Sequence, residues 1–178
     1  MRKTSTYARK RARRIKTVAD LSIERARMLR SVDGVMARCK PFRDNPIFKA
    51  ADFLLHVEMA FQGLIDGSIP SDDVSTVDVL AQAIDVSKIR LFEISSEANP
   101  GIPILELATG AIQRARERWK RTGKWGLDGP AMQELRDAIS VYEEVLLASS
   151  PMQMHEADGT RVKWLRLQKK GNKNGIVQ

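Results

Sequence analysis

Cysteine and histidine are almost absent from this sequence. Its 178 residues include one cysteine, Cys39, and two histidines. A lone cysteine cannot close an internal disulfide, which favours a reducing compartment, so we expect a cytoplasmic or nucleoid-associated protein. Neither His56 nor His155 has a second pair of ligands at metal-binding spacing. We therefore predict no metal site and no cofactor, and we interpret His56 as partly buried and His155 as a surface residue.

Long apolar runs are also missing. The basic N-terminus is not followed by an apolar segment, and no stretch of about 18 apolar residues occurs anywhere in the chain. We expect neither a secretion signal nor a membrane-spanning helix, and no membrane partner.

The motifs that usually mark a catalytic site are missing as well. Asp72-Asp73 and Glu143-Glu144 are adjacent pairs, which point about 100° apart on a helix and cannot share a proton. Gly123-Lys124 lacks the other residues of a phosphate-binding P-loop. No serine lies in a nucleophile elbow, and Cys39 has no base partner in the sequence. We predict that the protein is not an enzyme.

Positive charge is concentrated at the two ends of the chain. The net charge is +8, and residues 1–16 contain eight cations and no acid, which accounts for all of it. Six further cations follow the last acid, Asp158, and the part between the two basic ends has 16 cations against 22 acids. Because the cations of the N-terminal arm repel one another, we expect residues 1–14 to be disordered in isolation.

Apolar residues recur at helical spacing through most of the chain, which predicts an all-α protein, a bundle of about five helices. The second predicted helix has the most apolar residues, so we expect it at the centre of the core. The predicted helices are one from Ile15, one from Pro46 to Gly67 with Asn45 as N-cap, one from a Ser71 cap to Asn99, one from about Pro103 to Arg121, and one from Asp128 and Pro130 to Ser149.

The C-terminal region has a different pattern. Asp158-Gly159 is a two-residue turn signal, and we expect a short β-hairpin around it. Residues 168–178 contain Lys, Asn and Gly and are expected to form a loose tail. The sequence thus divides into a basic flexible arm (1–14), a helical domain (15–157) and a basic C-terminal segment with its tail (158–178).

The N-terminal arm is the strongest functional signal. Its side chains match phosphate oxygens through charge-assisted hydrogen bonds, and a chain that neutralises several phosphates binds nucleic acid in a salt-dependent manner. The alternative is a solvated tail, or one that contacts an acidic protein. The predicted nucleic-acid-binding residues are Arg9, Lys10, Arg11, Arg13, Arg14 and Lys16 in the arm, and Lys120, Arg121 and Lys124 in a second basic patch.

Three tryptophans lie among basic residues, at positions 119, 125 and 164. An aromatic ring between cations can stack on an unpaired base while Arg and Lys hold the backbone. We single out Trp125 and Trp164 for this role. The alternative is that the tryptophans anchor the packing between helices.

Three short segments of the chain, together with its basic start, form a pattern seen in other sequences. Residues 123–127 read GKWGL and lead into QELRDAI at 133–139 and YEEVLL at 142–147, and the chain begins with an Arg-Lys-rich segment. In these features the sequence resembles small, mostly uncharacterised proteins encoded by phages, prophages and related mobile elements. The resemblance covers about a quarter of the chain and includes no catalytic motif. It implies an accessory or regulatory role in a mobile element and carries over no functional residue.

These observations favour a non-enzymatic nucleic-acid-binding protein, with DNA and RNA both open as the ligand. Convergence of the arm, residues 114–124 and the C-terminal cations on one face would support it. The alternative is a protein–protein interaction module, such as a phage-encoded inhibitor or adaptor of a host protein. An exposed apolar patch would support that interpretation. Self-association into a homo-oligomer is a third alternative.

Overall fold

A computed structural model of the protein describes residues 32–94 and 99–174, with side chains for 33–94 and 99–169. Contacts divide the chain into two units, Met1–Ala37 and Arg38–Gln178. The described part of the first unit is a short helix, α1 (Val32–Arg38), whose last residue belongs to the second unit. The predicted arm (1–14) and the helix predicted from Ile15 lie outside the described residues.

The regular elements of the second unit are all helices, joined by loops, and no strand occurs in the described residues. The predicted all-α fold is therefore confirmed. A 3-10 helix, Phe42–Asp44, comes first, followed by α2 (Ala50–Asp66), α3 (Ser75–Ile94), α4 (Gly101–Thr122), α5 (Gly129–Ala148) and α6 (Pro151–Asn174).

The central helix of this bundle is α3, because α2, α4, α5 and α6 all pack against it. Its large apolar side chains, among them Leu80 and Ile84, are buried. Ala83 and Ser87 are buried too, and their small side chains let neighbouring helices approach closely. Because α2, α4, α5 and α6 all pack on it, α3 is buried on several sides.

The prediction that the most apolar helix lies at the centre is wrong. That helix is α2, which buries one face, including Leu54, Val57 and Leu64, against the bundle. Its outer face exposes Leu55 and Met59. Apolar content alone does not identify the central helix, because an exposed apolar side chain on a helix is common and costs little.

The direction of α4 follows from two contacts with the α3 region. The indole Nε1 of Trp119, near the end of α4, donates to the carbonyl oxygen of Ser71, just before α3 begins, at 2.6 Å. Further along, the ammonium group of Lys88 in α3 donates to the hydroxyl of Thr109 in α4 at 2.6 Å. The two helices are therefore antiparallel, and α4 ends where α3 begins.

The direction of α6 follows in the same way. Arg90, near the end of α3, donates through Nε to the hydroxyl of Ser149, just before α6, at 3.2 Å. Gln82, earlier in α3, donates to the carboxylate of Asp158 within α6 at 3.0 Å. Hence α6 is also antiparallel to α3, and its C-terminal half reaches the same end of the bundle as the last turn of α4.

Several predicted helix boundaries are confirmed. Gly67 ends α2 in the left-handed conformation with φ 65°, which glycine adopts without steric cost. The carboxylate of Asp128 caps α5 by accepting the backbone N–H of Ala131 at 2.7 Å, and Pro130 lies in the first turn. The same helix ends at Ala148, immediately before the predicted stop.

The predicted start of α2 at Asn45 and Pro46 is wrong, since the helix begins at Ala50. The side chain of Asn45 does accept the backbone N–H groups of Ile47 and Phe48, at 3.1 and 2.9 Å. These bonds satisfy the N–H groups in a loop, so the chain gains the capping interaction without starting a helix.

The start of α3 also differs from the prediction, because Asp73 rather than Ser71 caps it. One carboxylate oxygen of Asp73 accepts the backbone N–H groups of Ser75 and Thr76, at 3.0 and 3.2 Å. Both hydroxyls donate to the same carboxylate, at 2.6 and 2.5 Å. These hydrogen bonds, led by those from the Ser75 and Thr76 hydroxyls, lower the pKa of Asp73 from 3.8 to about 2.

The predicted C-terminal hairpin is wrong, because Asp158 and Gly159 lie inside α6. The predicted domain boundary at residues 157 and 158 falls within this helix, and residues 168–174 of the predicted loose tail are helical. The helix begins with a capping box. The N–H of Gln153 donates to the Ser150 hydroxyl at 3.3 Å, and the N–H of Ser150 donates to the Gln153 side chain at 2.8 Å. Helix formation from this start outweighs the local turn preference of an Asp-Gly pair.

We predict that Asp73 makes the stability of the fold pH-dependent in acid. Because its folded pKa is lowered, its stabilising effect is complete above its ordinary value of 3.8 and is lost as pH falls towards about 2. Asp73→Asn keeps an acceptor but does not titrate. Urea unfolding between pH 5 and pH 2 should show a shallower loss of stability for the variant, whereas parallel curves would show that Asp73 does not contribute.

The capping box yields a second prediction. Ser150→Ala removes the acceptor for the Gln153 N–H and should lower the free energy of unfolding by about 0.5–2 kcal/mol. Ser140→Ala is the matched control, because Ser140 is exposed within α5; it should change stability by no more than about 0.5 kcal/mol. Equal effects of the two substitutions in urea unfolding would exclude the cap as a stabilising contact.

Candidate nucleic-acid interface

The predicted basic patch lies at the C-terminal end of α4. Lys120 and Arg121 occupy the last turn of the helix, Gly123 ends it with φ 68°, and Lys124 follows. All three basic side chains are exposed, and none forms an ion pair with a residue that the structure describes. Their position is favourable, because cations near a helix C-terminus interact well with its dipole. Their charges remain available to an outside ligand.

Two arginines of the same helix are held by other helices. Arg116 pairs with Asp78 of α3 at 2.7 Å. Arg114 pairs with Glu134 of α5 at 2.5 Å and lies 3.7 Å from Asp128. Both arginines are partly exposed, and ion pairs of this kind contribute modestly to stability. They link α4 to its neighbours and leave the cations of its last turn unpaired.

The loop that carries Lys124 is held by two stacked tryptophans. The ring of Trp125 lies parallel to that of Trp119, with centroids 5.0 Å apart and an interplanar angle of 6°. Lys124 donates its backbone N–H to the hydroxyl of Thr122 at 3.2 Å. The stack and this hydrogen bond keep the loop against the end of α4, so the position of Lys124 relative to Lys120 and Arg121 is fixed.

Trp125 therefore cannot stack on a nucleic-acid base, and that prediction is wrong. The residue is 5% exposed, and its ring already stacks on Trp119. Its Nε1 is buried without a hydrogen-bond partner among the described residues. An unpaired buried donor costs free energy, which the packing of the large ring must offset. Trp125 is an anchor of the loop.

Trp164, the other predicted stacking residue, is 52% exposed. It lies in the C-terminal half of α6, where Lys163, Arg166 and Lys169 are also exposed. On a helix these three cations are neighbours, because residues three apart lie on one side. These three cations are not among the binding residues predicted from the sequence, which predicts a strand and a tail here. Their regular spacing of three residues is the signal in the sequence that identifies them.

The cations of α4 and α6 lie at the same end of the bundle. Both helices end there, as shown by the contacts of Trp119 with Ser71 and of Gln82 with Asp158. In the middle of α3, the partly buried carboxylate of Asp85 lies near cations from both helices, so α4 and α6 both flank α3 there. Burial raises the pKa of Asp85, and the charges of Lys88, Arg161 and Arg116 act against that rise. We call this surface the basic end and define it by Lys120, Arg121, Lys124, Lys163, Arg166 and Lys169.

Negative charges are present at this end too. Asp72 and Asp73 precede α3, and Asp73 is engaged in its cap. A phosphate that approaches the basic end is therefore attracted by the cations and repelled by nearby carboxylates, which also include Asp128 at the start of α5.

The six predicted binding residues of the N-terminal arm, from Arg9 to Lys16, lie outside the described residues. Within the described residues, no group of three or more Cys, His, Asp or Glu side chains is arranged to hold a metal ion. His56 is exposed, contrary to the expectation of partial burial, and its Nδ1 lies 2.9 Å from the carbonyl oxygen of Asp52. His155 is exposed, as expected. None of the helices in the described residues is long and apolar enough to cross a membrane.

The different roles of Trp125 and Trp164 can be tested by replacing each of them with alanine. Trp125→Ala empties a buried site and should lower the free energy of unfolding by about 3–5 kcal/mol. Trp164→Ala, at an exposed site, should change it by about 0.5 kcal/mol. Urea unfolding followed by circular dichroism measures both. Similar losses for the two variants would contradict the assignment of Trp125 as the anchor and Trp164 as a surface residue.

No family model matches this chain, and neither a curated protein nor a solved structure shows significant similarity to it. The chain is accordingly not assigned to a family, and the resemblance to small mobile-element proteins stays a prediction from the sequence. What the protein does must be inferred from the charges and geometry of the basic end.

Proposed function

We propose that the protein is a non-enzymatic nucleic-acid-binding protein that acts as an accessory or regulatory factor of a phage or mobile element in the cytoplasm. The observation that carries this proposal is the convergence of unpaired cations from α4 and α6 at the basic end. These residues are far apart in sequence, and no ion pair with a described residue neutralises them. Clustered, exposed and unpaired cations are what a phosphate backbone requires.

The mechanism is neutralisation of phosphates by cations from two parts of the chain. Lys120, Arg121 and Lys124 lie on a short segment held by the tryptophan stack, so little backbone conformational entropy is lost when they bind. The arm, residues 1–16, adds eight cations. Binding through phosphates releases counterions and depends weakly on base sequence.

Trp164 gives α6 a second kind of contact. It is exposed next to Lys163, about 100° around the helix from it and about 160° from Arg166, so it lies on a different side of α6 from the row of cations. An exposed ring near a cation can stack on an unpaired base of single-stranded DNA or RNA, which a fully paired duplex does not offer. We therefore propose that single strands bind more tightly than duplexes of equal length.

One observation favours the alternative, a protein–protein interaction module. The outer face of α2 exposes Leu55 and Met59, and the helix contains Asp52, Glu58 and Asp66 but no Lys or Arg. An exposed apolar face bordered by acids suits a host protein with a basic, partly apolar surface. The same face could also serve self-association. On this alternative the basic arm would contact an acidic protein surface instead of phosphate.

The deciding experiment is a salt series of binding to labelled duplex DNA, single-stranded DNA and RNA. The intact chain is compared with one that lacks residues 1–16 and with the triple variant Lys120→Gln, Arg121→Gln, Lys124→Gln. Each lost phosphate contact should reduce the slope of log affinity against log salt by about 1. Both changes should thus weaken binding and flatten the slope, and Trp164→Ala should weaken binding to single strands but not to duplex.

The matched control neutralises three cations at the opposite end of the bundle: Lys40→Gln, Arg43→Gln and Lys49→Gln. These residues flank Phe42, whose N–H donates to the Ser149 carbonyl at 2.9 Å. The control loses the same net charge and should leave binding almost unchanged. Equal weakening by both triple variants would mean that net charge alone matters. The absence of binding at low salt would overturn the proposal and direct attention to protein partners.

A further inference from the structure

A cleft of about 420 Å³ lies between α2 and α6 and is separate from the basic end. Both helices pack on α3 and leave a gap between them. Residues of α3, including Ala83 and Val86, form the bottom of this gap. Tyr142 of α5 reaches the cleft as well. Small-molecule sites in proteins usually have volumes of about 300–1,000 Å³ and mostly apolar linings. The size of this cleft falls within that range.

The walls of the cleft are largely apolar. Val57 of α2 and Met154 of α6 both line it and are buried. Phe53 of α2 forms one edge, where its ring meets the ring of Phe42 at an angle of 75° and a centroid distance of 5.0 Å. An aromatic edge and a methionine sulfur are good partners for a flat aromatic molecule.

Tyr142 supplies an unused polar group to this apolar surface. The residue is 8% exposed, yet its hydroxyl forms no hydrogen bond with any residue that the structure describes. Burial raises the pKa of Tyr142 to about 12, so the hydroxyl keeps its proton at neutral pH and can act as a donor. The hydroxyl oxygen is not among the buried polar atoms that lack a partner, so it is open to the cleft and can donate to a bound molecule that has an acceptor.

The rim of the cleft carries one carboxylate and two histidines. Asp158 accepts hydrogen bonds from Gln82 at 3.0 Å and from Arg161 at 2.8 Å. His56 must carry its proton on Nδ1 when neutral, because the Asp52 carbonyl, 2.9 Å away, can only accept. Its Nε2 is then an acceptor. The lining includes His155 but no Lys or Arg, and its carboxylate repels anions, so a negatively charged ligand would lose its hydration with little compensation.

We propose that this cleft binds a small, uncharged aromatic molecule with a hydrogen-bond acceptor that receives the proton of the Tyr142 hydroxyl. The apolar walls hold the ring, and the tyrosine fixes its orientation. The site involves none of the residues of the basic end, so this inference is independent of the proposed function.

Three simple probes test the proposal on the full chain by NMR titration: acetophenone, toluene and benzoate. Acetophenone is neutral and has an acceptor, toluene has no acceptor, and benzoate is charged. Acetophenone should bind most tightly. Tyr142→Phe keeps the ring and removes the hydroxyl, so it should weaken acetophenone binding about 3- to 10-fold and leave toluene binding unchanged. Ser140→Ala removes a hydroxyl from an exposed position of the same helix that does not line the cleft, so it is the control and should have no effect.

A second variant tests the location of the site. Val79 lines the cleft and is half-buried, so Val79→Phe should fill the cleft and abolish binding of both neutral probes while the helix content is preserved. The proposal is overturned if acetophenone does not bind to the unmodified protein, if Val79→Phe leaves its affinity unchanged, or if Tyr142→Phe weakens toluene as much as acetophenone. Tighter binding of benzoate than of acetophenone would also exclude a site for neutral ligands.

Discussion

The burial of α3 among four other helices is the constraint on which the rest of the bundle depends. Because α2, α4, α5 and α6 all pack on this one helix, its direction determines where each of them can end. Antiparallel packing sends the C-termini of α4 and α6 to the end where α3 begins. The unpaired cations of two distant sequence segments are thereby brought to one end of the bundle, and the gap between α2 and α6 becomes a cleft.

The parts of the structure that depend on local chemistry were predictable from the sequence. Helical periodicity identified the all-α class, since it reflects one buried face for each helix. Gly67 and Asp128 identified two helix ends, because a left-handed residue and a side-chain acceptor act on neighbouring backbone groups whatever the tertiary structure. Exposure of Lys120, Arg121 and Lys124 was similarly suggested by their sequence context.

The parts that depend on competition between distant or alternative contacts were not predictable. The greater apolar content of α2 suggested a central position, but the small residues of α3, Ala83 and Ser87, allow closer approach from several sides. The Asp158-Gly159 pair suggested a turn, but the Ser150–Gln153 capping box starts a helix that continues through it. The burial of Trp125 depends on its pairing with Trp119, which the charges around both tryptophans did not reveal.

The parallel indole rings of Trp119 and Trp125 have a spectroscopic consequence. Two indole rings with centroids 5.0 Å apart couple electronically on excitation, and the circular dichroism of the pair depends on the angle between the two transition dipoles. Trp164 is absent from this pair and does not contribute to the coupling. The local fold around Lys124 can therefore be followed optically, without a label, while the remainder of the bundle is monitored through its peptide bands.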